Sequence, residues 1–182
     1  MKVTATKLED CFIIEPKIYK DNRGYFMESF NQHNFNKAIG KDLDFVQDNE
    51  SMSGKGVLRG IHYQVGEQAQ SKLVRVVTGK VLDVVVDLRK DSSTFGEHFS
   101  VELSAANKKQ VFIPKGFGHG FLTLEDETIF SYKCDNFYNK NSESGIIFND
   151  KDLDIDWILP HTELILSEKD LILPELKNIK PE

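Results

Sequence analysis

Few side chains in this chain of 182 residues are placed to do chemistry, and the five histidines come first. His33 falls on a helical pattern, His98 in a polar run after Gly96 and His161 in a polar loop, so all three read as surface residues. His62 is embedded in Val57-Leu58-Arg59-Gly60-Ile61-His62-Tyr63-Gln64, an otherwise apolar strand with one other charged residue. His119 follows Pro114-Lys115-Gly116-Phe117-Gly118 and is followed by Gly120. An imidazole in such a setting is either a hydrogen-bonded core residue or a functional group, and neither segment alone decides. Cys11 and Cys134 match no Cys-x-x-Cys metal or redox pattern, which implies a reducing compartment. Three further residues have ordinary local readings. Asp170, in Ser167-Glu168-Lys169-Asp170, closes a helix capping box. Tyr132 is a packing tyrosine of a strand, and Lys72 opens an apolar strand as solvated strand ends do.

The elements that must position these groups read as a β protein. The 13 Phe and 12 Gly stand against 5 Pro, and the apolar runs are short and rich in Val, Ile and Phe. Strands are expected over residues 11–19 (with Pro16 at a bulge or edge), 24–30, 56–64, 72–77, 80–88, 99–103, 110–113, 120–124 and 129–134. Thr78-Gly79 marks a tight hairpin, and the mostly apolar run 75–88 a strand covered on both faces. Asn31 to Ile39 reads as a helix, with Phe35 and Ile39 on one face and Gly40 as its stop. Asp150–Asp156 reads as an acidic loop before Trp157, an apolar anchor. Strands this short at this spacing make a sandwich or barrel, and the length suits one domain over residues 1–182. A net charge of −6 argues against a chain that coats nucleic acid or anionic lipid. The start, MKVTATKLEDC, lacks the apolar core of a signal peptide, and the apolar stretches are too short to span a bilayer, so a cytoplasmic protein is expected.

Pro114-x-Gly116-x-x-His119 resembles the second motif of the cupins, small jelly-roll barrels. The first motif would supply His-x-His, but the matching place here reads His62-Tyr63-Gln64. With only two histidines for a site that needs about three protein ligands, this resemblance implies a metal-free cupin without a cofactor. The longer blocks narrow it. Val57 to Gln64, Lys72-Leu73-Val74-Arg75-Val76-Val77-x-Gly79, Asp83-Val84-Val85-Val86-Asp87-Leu88-Arg89, Ser93-Thr94-Phe95-Gly96, Ile113 to Phe121 and Leu166-Ser167-x-Lys169-Asp170 resemble the dTDP-4-dehydrorhamnose 3,5-epimerase family. The match runs from Asp21-x-Arg23-Gly24 to Pro174, with Ser92-Ser93 where Ser-Pro is usual and Gly118 where Ala is usual.

The resemblance implies an all-β cupin jelly roll with short helices in the N-terminal third and at the C-terminus. It implies epimerisation at C3 and C5 of dTDP-4-dehydro-6-deoxy-D-glucose, on the route to dTDP-L-rhamnose. Protons on those carbons are acidic because the C4 ketone accepts charge as an enolate, so inversion needs a base, an acid on the opposite face and a cation at the ketone oxygen. By resemblance His62 is the base, Asp170 the carboxylate that orients it, Tyr132 the acid and Lys72 the cation. Arg59 and Arg23 match contacts to the diphosphate or nucleotide; Glu28, Gln47, Asn49, Glu143, Lys169 and His119 match substrate-contacting positions. Phe26 and Tyr138 match an aromatic pair that stacks on thymine. Arg59 and His62 lie at odd spacing, so both reach one pocket only if Gly60 forms a bulge. Family members are homodimers that exchange N-terminal strands, so a second copy is the expected partner. A single-site epimerase, a ketoisomerase or a non-catalytic sugar-binding jelly roll are the alternatives; His62 and Tyr132 together favour the double epimerase.

Overall fold

A computed structural model describes residues 1–179. Its strands are β1 (Lys2–Ala5), β2 (Phe12–Glu15), β3 (Ile18–Asp21), β4 (Gly24–Met27), β5 (Gln47–Ser53), β6 (Leu58–Gln64), β7 (Lys72–Thr78), β8 (Lys80–Asp87), β9 (His98–Ser104), β10 (Gln110–Ile113), β11 (Phe117–Thr123), β12 (Thr128–Cys134) and β13 (Glu143–Gly145). Helix α1 (Gln32–Ile39) lies between β4 and β5. A six-stranded antiparallel sheet has the order β1-β2-β10-β7-β12-β5, and a five-stranded one the order β13-β6-β11-β8-β9. The two face each other as a jelly roll around Val74, Val76, Val85, Leu103, Val111, Phe117 and Phe130.

Each sheet is also covered on its outside. Phe35 and Ile39 of α1 pack on Ile14, Leu73 and Phe112 of the six-stranded sheet. Asn31 accepts a bond from the Asn34 N–H at the helix start, and Gly40, at φ 68°, ends it, as the sequence implied. The chain after β13 covers the other sheet, with Ile146, Phe148, Leu153 and Trp157 against Leu58, Ile61, Val84, Val86 and Leu122. The Trp157 indole N–H donates to the Phe148 carbonyl at 2.8 Å, so the anchor is both apolar and satisfied. Strand β8 is therefore covered on both faces: Val81 and Val85 in the core between the sheets, Val84 and Val86 beneath the tail. The 78–79 turn is tight: Gly79 has φ 77°, and a Cβ there would lie 2.2 Å from Thr128 Oγ1.

Some expectations are corrected. Residues 11–19 do not form one strand: the pairing stops before Pro16, which has no N–H to donate. The chain beyond it leaves the sheet and forms a separate β3–β4 hairpin. Segment 167–170 starts no α-helix, only a 3₁₀ turn over Asp170–Ile172. His98 is partly buried where β9 begins, and desolvation pushes its imidazole pKa below the usual value. Strands β1, β5 and β13 lacked apolar runs to announce them. No helix among the described residues is long and apolar enough to cross a membrane.

Candidate active site

A cleft of about 540 Å³ opens between the two sheets. Strands β5, β7 and β12 line one wall; β6 and β11 line the other, joined by β13 and residues 165–170.

His62 reaches it because β6 is bulged. His119 pairs with His62 and Phe121 with Arg59, so three steps along β6 face two along β11. Gly60 stands inside the bulge at φ 105°, where a Cβ would lie 2.6 Å from the His119 carbonyl oxygen and 2.7 Å from Gly120 Cα. The extra residue turns Arg59 and His62 to the same cleft despite their odd spacing, as anticipated. The Arg59 guanidinium is steadied by Ser53 Oγ, 3.2 Å from both Nε and Nη2.

His62 Nε2 lies 2.6 Å from Asp170 Oδ1. Asp170 is also capped as its local sequence implied: its backbone N–H donates to Ser167 Oγ at 3.2 Å. The Ser167 cap and the pairing with His62 thus hold together, one through the backbone and one through the side chain, although the turn is 3₁₀ and no α-helix follows. Burial by itself would raise the Asp170 pKa; the hydrogen bond and charge of His62, with bonds from Ser167 and the Gly60 N–H, outweigh it and hold the carboxyl below its ordinary range.

Lys72 and Tyr132 come from the opposite sheet. Burial pushes the Lys72 ammonium pKa down, and among the described residues it has no ion-pair partner. Burial likewise raises the Tyr132 phenol, so it stays protonated as a donor. At the mouth, Tyr138 Oη donates to Glu143 Oε2 at 3.1 Å, and Glu143 pairs with Lys169. Burial would raise the Glu143 carboxyl, but Lys169 and Tyr138 hold it below the ordinary range. On β5, Gln47 Nε2 donates to Asn49 Oδ1 at 3.0 Å. Gln47, Asn49, Arg59, His62, Lys72, His119, Tyr132, Tyr138, Glu143, Lys169 and Asp170 therefore share one cleft.

Arg23, Phe26 and Glu28 do not join them in a single chain. Arg23 pairs with Asp21 at 2.6 Å on the hairpin turn. Phe26 is 69% exposed beside Tyr19, and Glu28 accepts bonds from Asn31 and Asn34. Of the expected aromatic pair only Tyr138 is at the cleft.

Sequence reasoning missed Asp83, fully buried with Oδ2 2.8 Å from His119 Nε2. Its signal was available: a carboxylate inside a valine-rich strand must be paired. It also missed Ser51, Gln64, Gln70 and Phe121 in the lining. No three His, Cys, Asp or Glu side chains are gathered as metal ligands among the described residues.

The arrangement sets groups that can carry a proton on both walls of the cleft. His62, with its carboxylate, stands on one sheet, and the Tyr132 phenol stands on the other with an ammonium near by.

Comparison with known proteins gives a concordant picture. The sequence model of a family described as dTDP-4-dehydrorhamnose 3,5-epimerase matches residues 5–178. A protein of that name from Shigella flexneri is 54% identical over 171 residues, 94% of this chain and 93% of its own. The crystal structure of dTDP-4-dehydrorhamnose 3,5-epimerase from Elizabethkingia anophelis NUHP1 superposes with a TM-score of 0.95 at 53% identity, covering 98% of this chain and 97% of that one. A dTDP-6-deoxy-D-glucose-3,5-epimerase from Legionella pneumophila Philadelphia 1, solved with dTDP-4-keto-L-rhamnose, gives 0.94 at 47% identity, with 98% and 94% coverage.

Proposed function

This chain belongs to the dTDP-4-dehydrorhamnose 3,5-epimerase family, and from that premise we propose how its cleft performs the reaction. The protein is an isomerase that epimerises C3 and C5 of dTDP-4-dehydro-6-deoxy-D-glucose to give dTDP-4-dehydro-L-rhamnose. His62 is the base. With Asp170 accepting from Nε2–H, its other ring nitrogen keeps the lone pair that takes a carbon-bound proton. The carboxylate then stabilises the imidazolium. Lys72 faces the C4 oxygen as enolate charge develops there. The Tyr132 phenol returns a proton to the opposite face, which inverts the carbon. Arg59 binds the diphosphate, and Tyr138 stacks on the nucleotide base; Gln47, Asn49, His119, Glu143 and Lys169 complete the substrate contacts.

Arg23, Phe26 and Glu28 serve the cleft of a second copy in a homodimer. The observation behind this is the β3–β4 hairpin, which stands outside both sheets and leaves Tyr19, Tyr25 and Phe26 each more than half exposed. The two cysteines are buried free thiols, which suits the cytoplasm.

The observation that carries the catalytic reading is the 2.6 Å His62–Asp170 pair on one sheet with Tyr132 on the sheet facing it. The test is incubation with dTDP-4-dehydro-6-deoxy-D-glucose in heavy water, read by NMR. Deuterium at both C3 and C5 is expected. Label at one carbon only would reduce the enzyme to a single-site epimerase, and no label would overturn the assignment.

A further inference from the structure

Residues 136–139 join β12 to the 3₁₀ turn before β13 and belong to no strand, yet the Tyr138 ring is presented from the middle of them. Side-chain amides replace the missing ladder. Gln70 Nε2 donates to the Asn136 carbonyl at 2.8 Å. Gln47 Oε1 accepts the Tyr138 N–H at 3.0 Å. Gln64 holds both neighbours of Tyr138: its Nε2 donates to the Phe137 carbonyl at 3.2 Å, and its Oε1 accepts the Asn139 N–H at 2.6 Å. The second Nε2 hydrogen goes to the Gln68 carbonyl at 2.8 Å. Gln64 is 6% exposed.

We propose that Gln64 is a positioning residue that fixes Tyr138 before substrate arrives, so that the nucleotide end of the substrate meets a prepared wall. The inference rests on the reading that Tyr138 stacks on the nucleotide base. The chemistry demands an amide. Two carbonyls and one N–H must be met by a single side chain, and glutamine alone of the similar-sized residues offers two donors and an acceptor on one planar group. Glutamate has no donor when ionised, a neutral histidine has one, and methionine has none. The position that carries a metal ligand in a His-x-His cupin motif here organises a loop instead. Because loop order is set before binding, less freedom remains to be lost when the nucleotide docks.

The test compares wild type, Gln64→Met, Tyr138→Ala and the double variant, with calorimetric binding of dTDP and steady-state kinetics. Gln64→Met removes the partner of the Phe137 and Gln68 carbonyls and of the Asn139 N–H, all in part-buried bonds, and is expected to weaken dTDP about tenfold and raise KM in proportion, with kcat within about twofold. On the Tyr138→Ala background the same change is expected to add almost nothing, because Gln64 acts through that ring. Undiminished dTDP affinity in Gln64→Met, or a full additional loss on top of Tyr138→Ala, overturns the inference. Should Gln64→Met fail to fold, amide hydrogen exchange of the wild type without ligand gives the same decision. A protected Asn139 N–H, the one that Gln64 Oε1 accepts, is expected, and its exchange at the rate of an unstructured chain refutes the inference. Absence of dTDP binding by the wild type would instead remove the reading of Tyr138, and this inference with it.

Discussion

Replacing Asp170 by Asn keeps the volume and the Ser167 cap but removes one charge beside His62, 2.6 Å away on a side chain only 4% exposed. An imidazolium and a carboxylate with charge centres about 4 Å apart attract by about 4 kcal/mol at an effective dielectric of about 20. His62 retains some contact with water, its side chain being 29% exposed, so about half of that is a fair share for the transition state. A further effect acts in the same direction. The amide can donate as well as accept, so it no longer enforces the tautomer with the proton on Nε2. Together these predict a fall in kcat of about 10²–10³-fold. KM should move by less than about threefold, since the carboxylate faces the imidazole rather than the substrate. The assay is the initial rate of deuterium entry at C3 and C5 in heavy water at saturating substrate, with thermal melting to verify the fold. A variant retaining a fifth of wild-type kcat, or one whose whole deficit lies in KM, would refute the role given to this pair.

Three other outcomes are expected. Tyr132→Phe removes one hydroxyl; solvent deuterium should still enter the substrate through His62, while inversion falls by roughly 10²–10⁴-fold, and equal loss of both in the NMR assay would contradict a division of labour between two faces. Gly60→Ala should lower the melting temperature by roughly 6–12 °C, corresponding to about 3 kcal/mol, because its Cβ meets the His119 carbonyl at φ 105°; an unchanged melt would deny the bulge. Acid should weaken the fold through Asp87 and Asp170. Burial would raise the Asp87 carboxyl, but Arg89, Ser92 and Thr94 outweigh it, and both groups end below the ordinary carboxylate value. The stability they add is therefore fully present above about pH 4 and is lost as pH falls through the folded values; urea midpoints followed down to pH 3 should decline, and less steeply in Asp87→Asn.

How much was legible from sequence follows from what each residue faces. Strands β7, β8 and β10 lie against apolar partners, so their composition announced them. Strand β5 alternates in burial without an apolar residue on its inward row, because Gln47, Asn49 and Ser51 face a polar cleft rather than a core, and its one apolar residue, Met52, points outward. Composition therefore hid a strand that lines the site. His62 and His119 were visible as polar residues inside apolar runs. Asp170 was not: its neighbours spell a cap, the cap is real, and its pairing with His62 depends on a residue 108 positions away that local pattern cannot reach. Arg23, Phe26 and Glu28 were named by resemblance alone, and in one chain they remain apart from the cleft.

That separation along the chain has a consequence during synthesis. All the described strands end by Gly145, whereas Asp170 follows a stretch held to the start of β6 by a bridge between Val57 and Ile165. A chain being made therefore holds every described strand before it holds the carboxylate that pairs with His62, so that pair is the joint product of an early strand and a much later turn.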